Sequence, residues 1–180
     1  MKKIYTHGFT VIEALVAIGI LTVAISGAFA AASLSLNRST YTKEQVTAFY
    51  LAQEGMEAIR WKRDTNAIAG NDWMEGIGEV GDPCLTPNVC YVDTIPLSMN
   101  FVSCGTSWGA CPLIRLDSPY LYSYTAGTPT IFRREIQITP LTSVPYIADG
   151  NVVQVEVRVT WTHEGDDKAF IAKGLLYNWH

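Results

Sequence analysis

The chain has 180 residues, with 13 Lys and Arg against 17 Asp and Glu, a formal net charge of −4 and 48% hydrophobic residues. That length accommodates one ordinary domain plus an appendage and does not call for two independent cores. A mildly acidic chain whose basic residues cluster only at Arg60, Lys62 and Arg63 argues against nucleic acid as a partner.

The first element is apolar. No charged residue occurs from Ala14 to Leu36, a length sufficient for a helix to cross a hydrocarbon core of about 30 Å. Lys2 and Lys3 stand in front of it and would hold that end in the cytoplasm, with the carboxy-terminal part outside. A secretory signal peptide starts in a similar way, and Ala28-Phe29-Ala30 resembles a cleavage site for one. Two features oppose that reading. The apolar run continues through Ala32, Leu34 and Leu36, and Glu13 sits near its beginning. A carboxylate at membrane depth costs about a few kcal/mol and is usually kept for a partner or a function, neither of which a discarded segment needs.

Gly8 followed by Phe9-Thr10-Val11-Ile12-Glu13, behind a short basic leader and ahead of a long apolar run, resembles the prepilin-type signal of type IV pilins and type II secretion pseudopilins. The resemblance implies that a membrane peptidase cuts after Gly8 and that Phe9 becomes the N-methylated terminus. It also implies that the subunit assembles with other pilin subunits on an inner-membrane platform. On this reading residues 1–8 are a leader and 9–36 a transmembrane and filament-core helix. Cleavage leaves an amine on Phe9, four residues before Glu13. In a filament that carboxylate can pair with the terminal amine of a neighbour, each charge offsetting the other's desolvation. The alternative role for Glu13 is to snorkel at the membrane edge.

Past Leu36 no proline stops the helix, and Val46, Phe49, Ala52, Met56 and Ile59 recur at intervals of three or four. This predicts an amphipathic continuation over 37–64. Its end is expected near Arg63, where basic residues suit the negative end of the helix dipole and Asp64-Thr65-Asn66 follows. Residues 47–64, TAFYLAQEGMEAIRWKRD, resemble the same helix in minor pilins and I-type pseudopilins, where Glu54 and Glu57 would be solvated or paired along the helix.

Residues 65–129 are rich in Gly, Pro, Ser and Asn and read as a long loop region between helix and sheet, of a length that calls for constraint or function. All four cysteines, Cys84, Cys90, Cys104 and Cys111, lie within it. Their spacing misses the usual zinc-ligand pairs, and export to an oxidising compartment favours disulfides. Three pairings are open. The local one, Cys84 with Cys90 and Cys104 with Cys111, would close two short loops worth about 2–3 kcal/mol each on the chain-entropy model. Many type IV pilins instead tie down the carboxy-terminal region, so these cysteines depart from the family pattern.

Residues 130–180 read as an antiparallel sheet. Thr130 to Thr139 supplies a strand. Val153, Val155, Val157, Val159 and Trp161 alternate with Gln154, Glu156, Arg158, Thr160 and Thr162, the pattern of a strand with one buried face. The turn at 163–167 leads into a last strand from Lys168 to Tyr177. The expected fold is α+β, a long amino-terminal helix against a small antiparallel sheet, which is the layout of the pilin fold that the resemblance implies.

No catalytic constellation or cofactor motif is recognisable. His7 lies in the leader, His163 in a turn and His180 at the end of the sequence, and the glycines are scattered. Glu164, Asp166 and Asp167 lack the spacing of a calcium loop, so a solvated turn is the better reading. The expected function is structural: a minor pilin made as a membrane precursor and assembled into an extracellular or periplasmic filament. The absence of a proline near Ala30 leans toward a minor pilin or pseudopilin. One alternative is a secretion pseudopilin of a periplasmic piston. Another, of a different class, is a membrane-tethered binding domain that never polymerises and uses the disulfide loop to hold a ligand.

Overall fold

The computed structural model describes residues 8–95, 99–118, 121–141 and 151–178. Lys2, Lys3, His7 and His180 lie outside the described residues. The chain forms two compact units, Met1–Lys43 and Glu44–His180. One helix, α1 (Val11–Ala69), contributes to both.

In the first unit α1 carries the apolar run, and its large side chains from Val11 to Leu36 are all exposed. Thr22, Ser33, Thr40 and Thr42 turn their hydroxyls back onto carbonyls three or four residues earlier. Their polar atoms are thus satisfied within the helix, as a segment built for an apolar surrounding requires.

In the second unit α1 runs six residues past the expected end at Arg63. The basic residues there are used along the helix, Arg60 on Glu57 and Arg63 on Asp64, rather than as a terminal cap. The stop is Gly70, which takes φ of 77°, a left-handed conformation open to glycine at little cost. Its amide donates to the Ala67 carbonyl, and the Asn71 amide to that of Asn66. The buried Asn66 side chain donates to the Glu75 carbonyl at 2.8 Å, folding the following loop back on the helix end. That loop buries Trp73, Met74 and Ile77.

Among the described residues eight strands follow: β1 (Val89–Asp93), β2 (Asn100–Gly105), β3 (Arg115–Ser118), β4 (Leu121–Ser123), β5 (Thr128–Pro129), β6 (Arg133–Pro140), β7 (Val152–His163) and β8 (Asp166–Tyr177). They form a five-stranded sheet in the order β2-β1-β6-β7-β8 and a three-stranded one in the order β4-β3-β5. All pairings between strands are antiparallel. The main sheet is therefore not confined to 130–180. Two of its strands come from the segment read as loop, and β1 sits inside the sheet with Cys90 opposite Ile136.

The alternation of β7 is realised: Val153, Val155, Val157, Val159 and Trp161 are buried, and the residues between them are less so. Ile136 and Ile138 of β6 lie opposite Val157 and Val155 on the same face. The helix meets this face along Ala48, Leu51, Ala52, Gly55, Met56 and Ile59. The stripe is shifted from the expected one, and Val46 and Phe49 remain 48% and 40% exposed. The seam is lined by small residues because the sheet approaches closely. A Cβ added at Gly55 would lie 3.0 Å from Val157 Cγ1 and 3.1 Å from Arg134 Cδ.

Candidate functional site

Phe9 is 75% exposed and Gly8 precedes it in irregular backbone. Thr10 caps the helix: its hydroxyl accepts from the Glu13 amide at 3.3 Å, and Glu13 Oε2 lies 3.4 Å from the Thr10 amide. This reciprocal arrangement is a capping box, and its Thr-x-x-Glu spacing is visible in the sequence. A carboxylate in the first turn also faces the positive end of the helix dipole. Glu13 therefore has a local role in the single chain while its side chain stays exposed.

A second polar cluster ties the sheet to the helix. Arg134, 2% exposed, pairs with Glu54 at 2.9 Å and donates to the carbonyls of Leu51 (3.2 Å) and Val92 (2.9 Å). One side chain thereby links β6 to α1 and β1. Thr94 adds a short hydrogen bond to the other oxygen of Glu54. The Tyr124 hydroxyl donates to the Arg134 carbonyl at 3.2 Å, and burial pushes this phenol up to about 12 against the opposing pull of the guanidinium. Glu54 is thus paired across the fold, whereas Glu57 pairs along the helix with Arg60. No sequence spacing announces the contact, since the partners are 80 residues apart.

Residues 5–29 match the family model of the prokaryotic N-terminal methylation motif. This is a type IV prepilin-like signal. No curated protein and no solved structure matches the chain. Among the described residues one helix, α1, which carries most of that signal, is long and apolar enough to cross a membrane. The α+β arrangement of long helix, antiparallel sheets and disulfide-bearing loops matches the pilin fold. The signal supports a pilin- or pseudopilin-type precursor and points to a structural role, and the apolar helix behind it supports a membrane anchor.

Downstream of the prepilin-like signal, Cys84 is bonded to Cys90 and Cys104 to Cys111. The second bridge closes a loop that is strapped to the face of the main sheet opposite the helix. The fully buried Glu135 of β6 accepts from the amides of Gly109 (2.8 Å) and Cys111 (3.2 Å). Arg133 Nε donates to the Cys111 carbonyl at 2.6 Å, and the Arg158 guanidinium lies 4.1 Å from the centre of the Trp108 ring. Glu156 anchors Arg158 at 3.0 Å and takes Lys173 at 2.8 Å. Burial pushes the Glu156 carboxyl up, but these two cations outweigh it and hold it below the usual carboxylate range.

At the β7–β8 turn Glu164 and Gly165 take φ of 51° and 88°, the pattern of a two-residue type I′ hairpin. Asp166 pairs with Lys168, and Asp167 accepts from Thr162. Among the described residues no group of three or more metal-ligating side chains converges.

Proposed function

We propose that the chain is a minor pilin-type subunit of a type IV pilus-like filament. Prepilin peptidase cuts it after Gly8, Phe9 is methylated, and it assembles through its amino-terminal helix with other pilin subunits on an inner-membrane platform. The methylation motif over residues 5–29 carries this reading, because it leads directly into an exposed apolar helix that needs a bilayer or neighbouring helices to cover it. In this scheme 1–8 is the leader, 9–36 the filament core, 37–64 the amphipathic part of the helix, 65–129 the disulfide-constrained region and 130–180 the carboxy-terminal sheet. Phe9 and Glu13 form the assembly pair. The filament lies outside the cytoplasm, where the four cysteines are oxidised.

The test begins with intact mass, expected to correspond to a chain starting at methylated Phe9. A mass starting at Met1, or at Ala31, rejects the reading. Glu13→Val removes a charge from the apolar segment, so insertion and cleavage should persist while assembly falls. A neighbour's amine left unpaired in a low-dielectric core costs on the order of 3–5 kcal/mol. Fractionation compares processed protein in membranes with that in sheared filaments. Equal incorporation of the two forms removes Glu13 from assembly, and recovery of the subunit only in a periplasm-spanning assembly selects the pseudopilin instead.

A further inference from the structure

Beside the strapped loop the outer face of the main sheet carries a cleft of about 580 Å³, within the roughly 300–1,000 Å³ range of small-molecule sites. Strand register builds its floor. Arg133 of β6 stands opposite Thr160 of β7, and Thr162, two residues along the same face, stands opposite Asp167 of β8. Trp108 and Leu113 from the loop side and Ile131 before β6 form apolar walls, with Leu113 38% and Ile131 45% exposed.

The polar groups of the cleft divide into those already committed and those still available. Glu135 is held by the loop amides of Gly109 and Cys111, and Arg158 is held by Glu156 and the Trp108 ring, its buried Nε lacking a hydrogen-bond partner among the described residues. Arg133 uses its Nε on Cys111, while its two terminal nitrogens have no partner among the described residues. The Thr160 hydroxyl has none there either, and Asp167 commits one oxygen to Thr162. A ligand would therefore meet a guanidinium fork, a hydroxyl and a carboxylate oxygen beside an apolar wall.

Each group selects a chemistry. The fork matches a planar oxyanion that it can hold with two parallel hydrogen bonds. The two carboxylates lining the same cleft, Glu135 and Asp167, weigh against a doubly charged group such as a phosphate monoester. Asp167 needs a donor, and Thr160 can give or accept, which suits a ring bearing hydroxyls. The apolar wall suits the C–H face of such a ring. We propose that this cleft binds an acidic sugar, its carboxylate on Arg133, its hydroxyls on Thr160 and Asp167, and its C–H face on Leu113 and Ile131. The inference goes beyond the filament reading and stands independently of it, since the cleft lies wholly within the unit Glu44–His180.

The experiment titrates the full processed chain in detergent micelles with D-galacturonate, D-glucuronate, galactose, galactose 6-phosphate and acetate, following ligand signals by saturation-transfer NMR. At least one uronate is expected to bind, with galactose and acetate roughly tenfold or more weaker because each lacks half of the recognition. Arg133→Gln is expected to weaken uronate binding by a similar factor. Thr160→Val leaves the Arg133–Cys111 contact in place and is expected to weaken it several-fold, so it decides the matter if Arg133→Gln disturbs the loop. The proposal is overturned if neither uronate binds, or if galactose, acetate or the sugar phosphate binds as well as the better uronate. Unchanged uronate binding by Thr160→Val, with its thermal unfolding also unchanged, overturns it as well.

Discussion

Arg134 and Glu13 are two charges in apolar settings that are satisfied in different ways. Arg134 finds its partners inside the chain, with Glu54 and two carbonyls around a guanidinium that is almost fully buried. Glu54 is itself 38% exposed, so water already shares its charge. Glu54→Ala is accordingly expected to destabilise the domain by about 1–3 kcal/mol, less than the full cost of orphaning a buried charge. The double variant Glu54→Ala with Arg134→Met should recover part of that loss, since no buried charge then lacks a partner. Urea unfolding checks both, and a double variant less stable than the single one contradicts the account. Glu13 makes only contacts of 3.3–3.4 Å within the capping box. Contacts that long would give up little if, as proposed, the carboxylate turned to a neighbour's amine.

The element that most constrains the others is the helix half from Glu44 onward, because its small residues set how closely the sheet approaches. Gly55 is the contact point, facing Val157 and Arg134. Gly55→Leu would drive a side chain into that seam and should cost about 1–3 kcal/mol, the usual range for overpacking. Gly55→Ala sets a tight Cβ contact against a gain of about 1 kcal/mol in helix propensity, so a change of less than about 1 kcal/mol is expected. Thermal unfolding distinguishes the two, and a Leu variant as stable as the Ala variant would mean that the seam is looser than drawn. The same closeness explains why Val46 and Phe49 are left at the margin, where Phe49 meets Phe170 edge to face at 5.5 Å.

At the scale of the whole molecule the division into Met1–Lys43 and Glu44–His180 separates two kinds of stability. The first unit has no core of its own among the described residues and leaves its apolar side chains exposed, a surface that the proposed bilayer or filament would cover. The second buries a continuous core and closes two loops covalently. A chain beginning at Asn37 is therefore expected to be soluble, folded and monomeric when exported, with no free thiol. Thiol titration and gel filtration check this, and four reactive thiols, or one bound zinc per chain, would refute it.

Residues 8–36 were legible without any structure because their meaning lies in local order: a glycine, an aromatic terminus, a carboxylate at a fixed offset and an uninterrupted apolar run. The alternation of β7 and the β7–β8 hairpin were legible for the same reason, since a period of two and a Glu-Gly turn act over a few residues. The helix stop at Gly70 and the Thr10–Glu13 cap are equally local signals. Tertiary structure alone decided the rest. β1 has only five residues between loops, and its place inside the sheet depends on pairing with β2 and β6. Arg134 with Glu54, Glu135 with the loop amides, and Arg133 opposite Thr160 are contacts across 24 to 80 residues or across strand register. Periodicity can say which face of a strand is buried, but it carries no information about which distant backbone arrives to cover the other face.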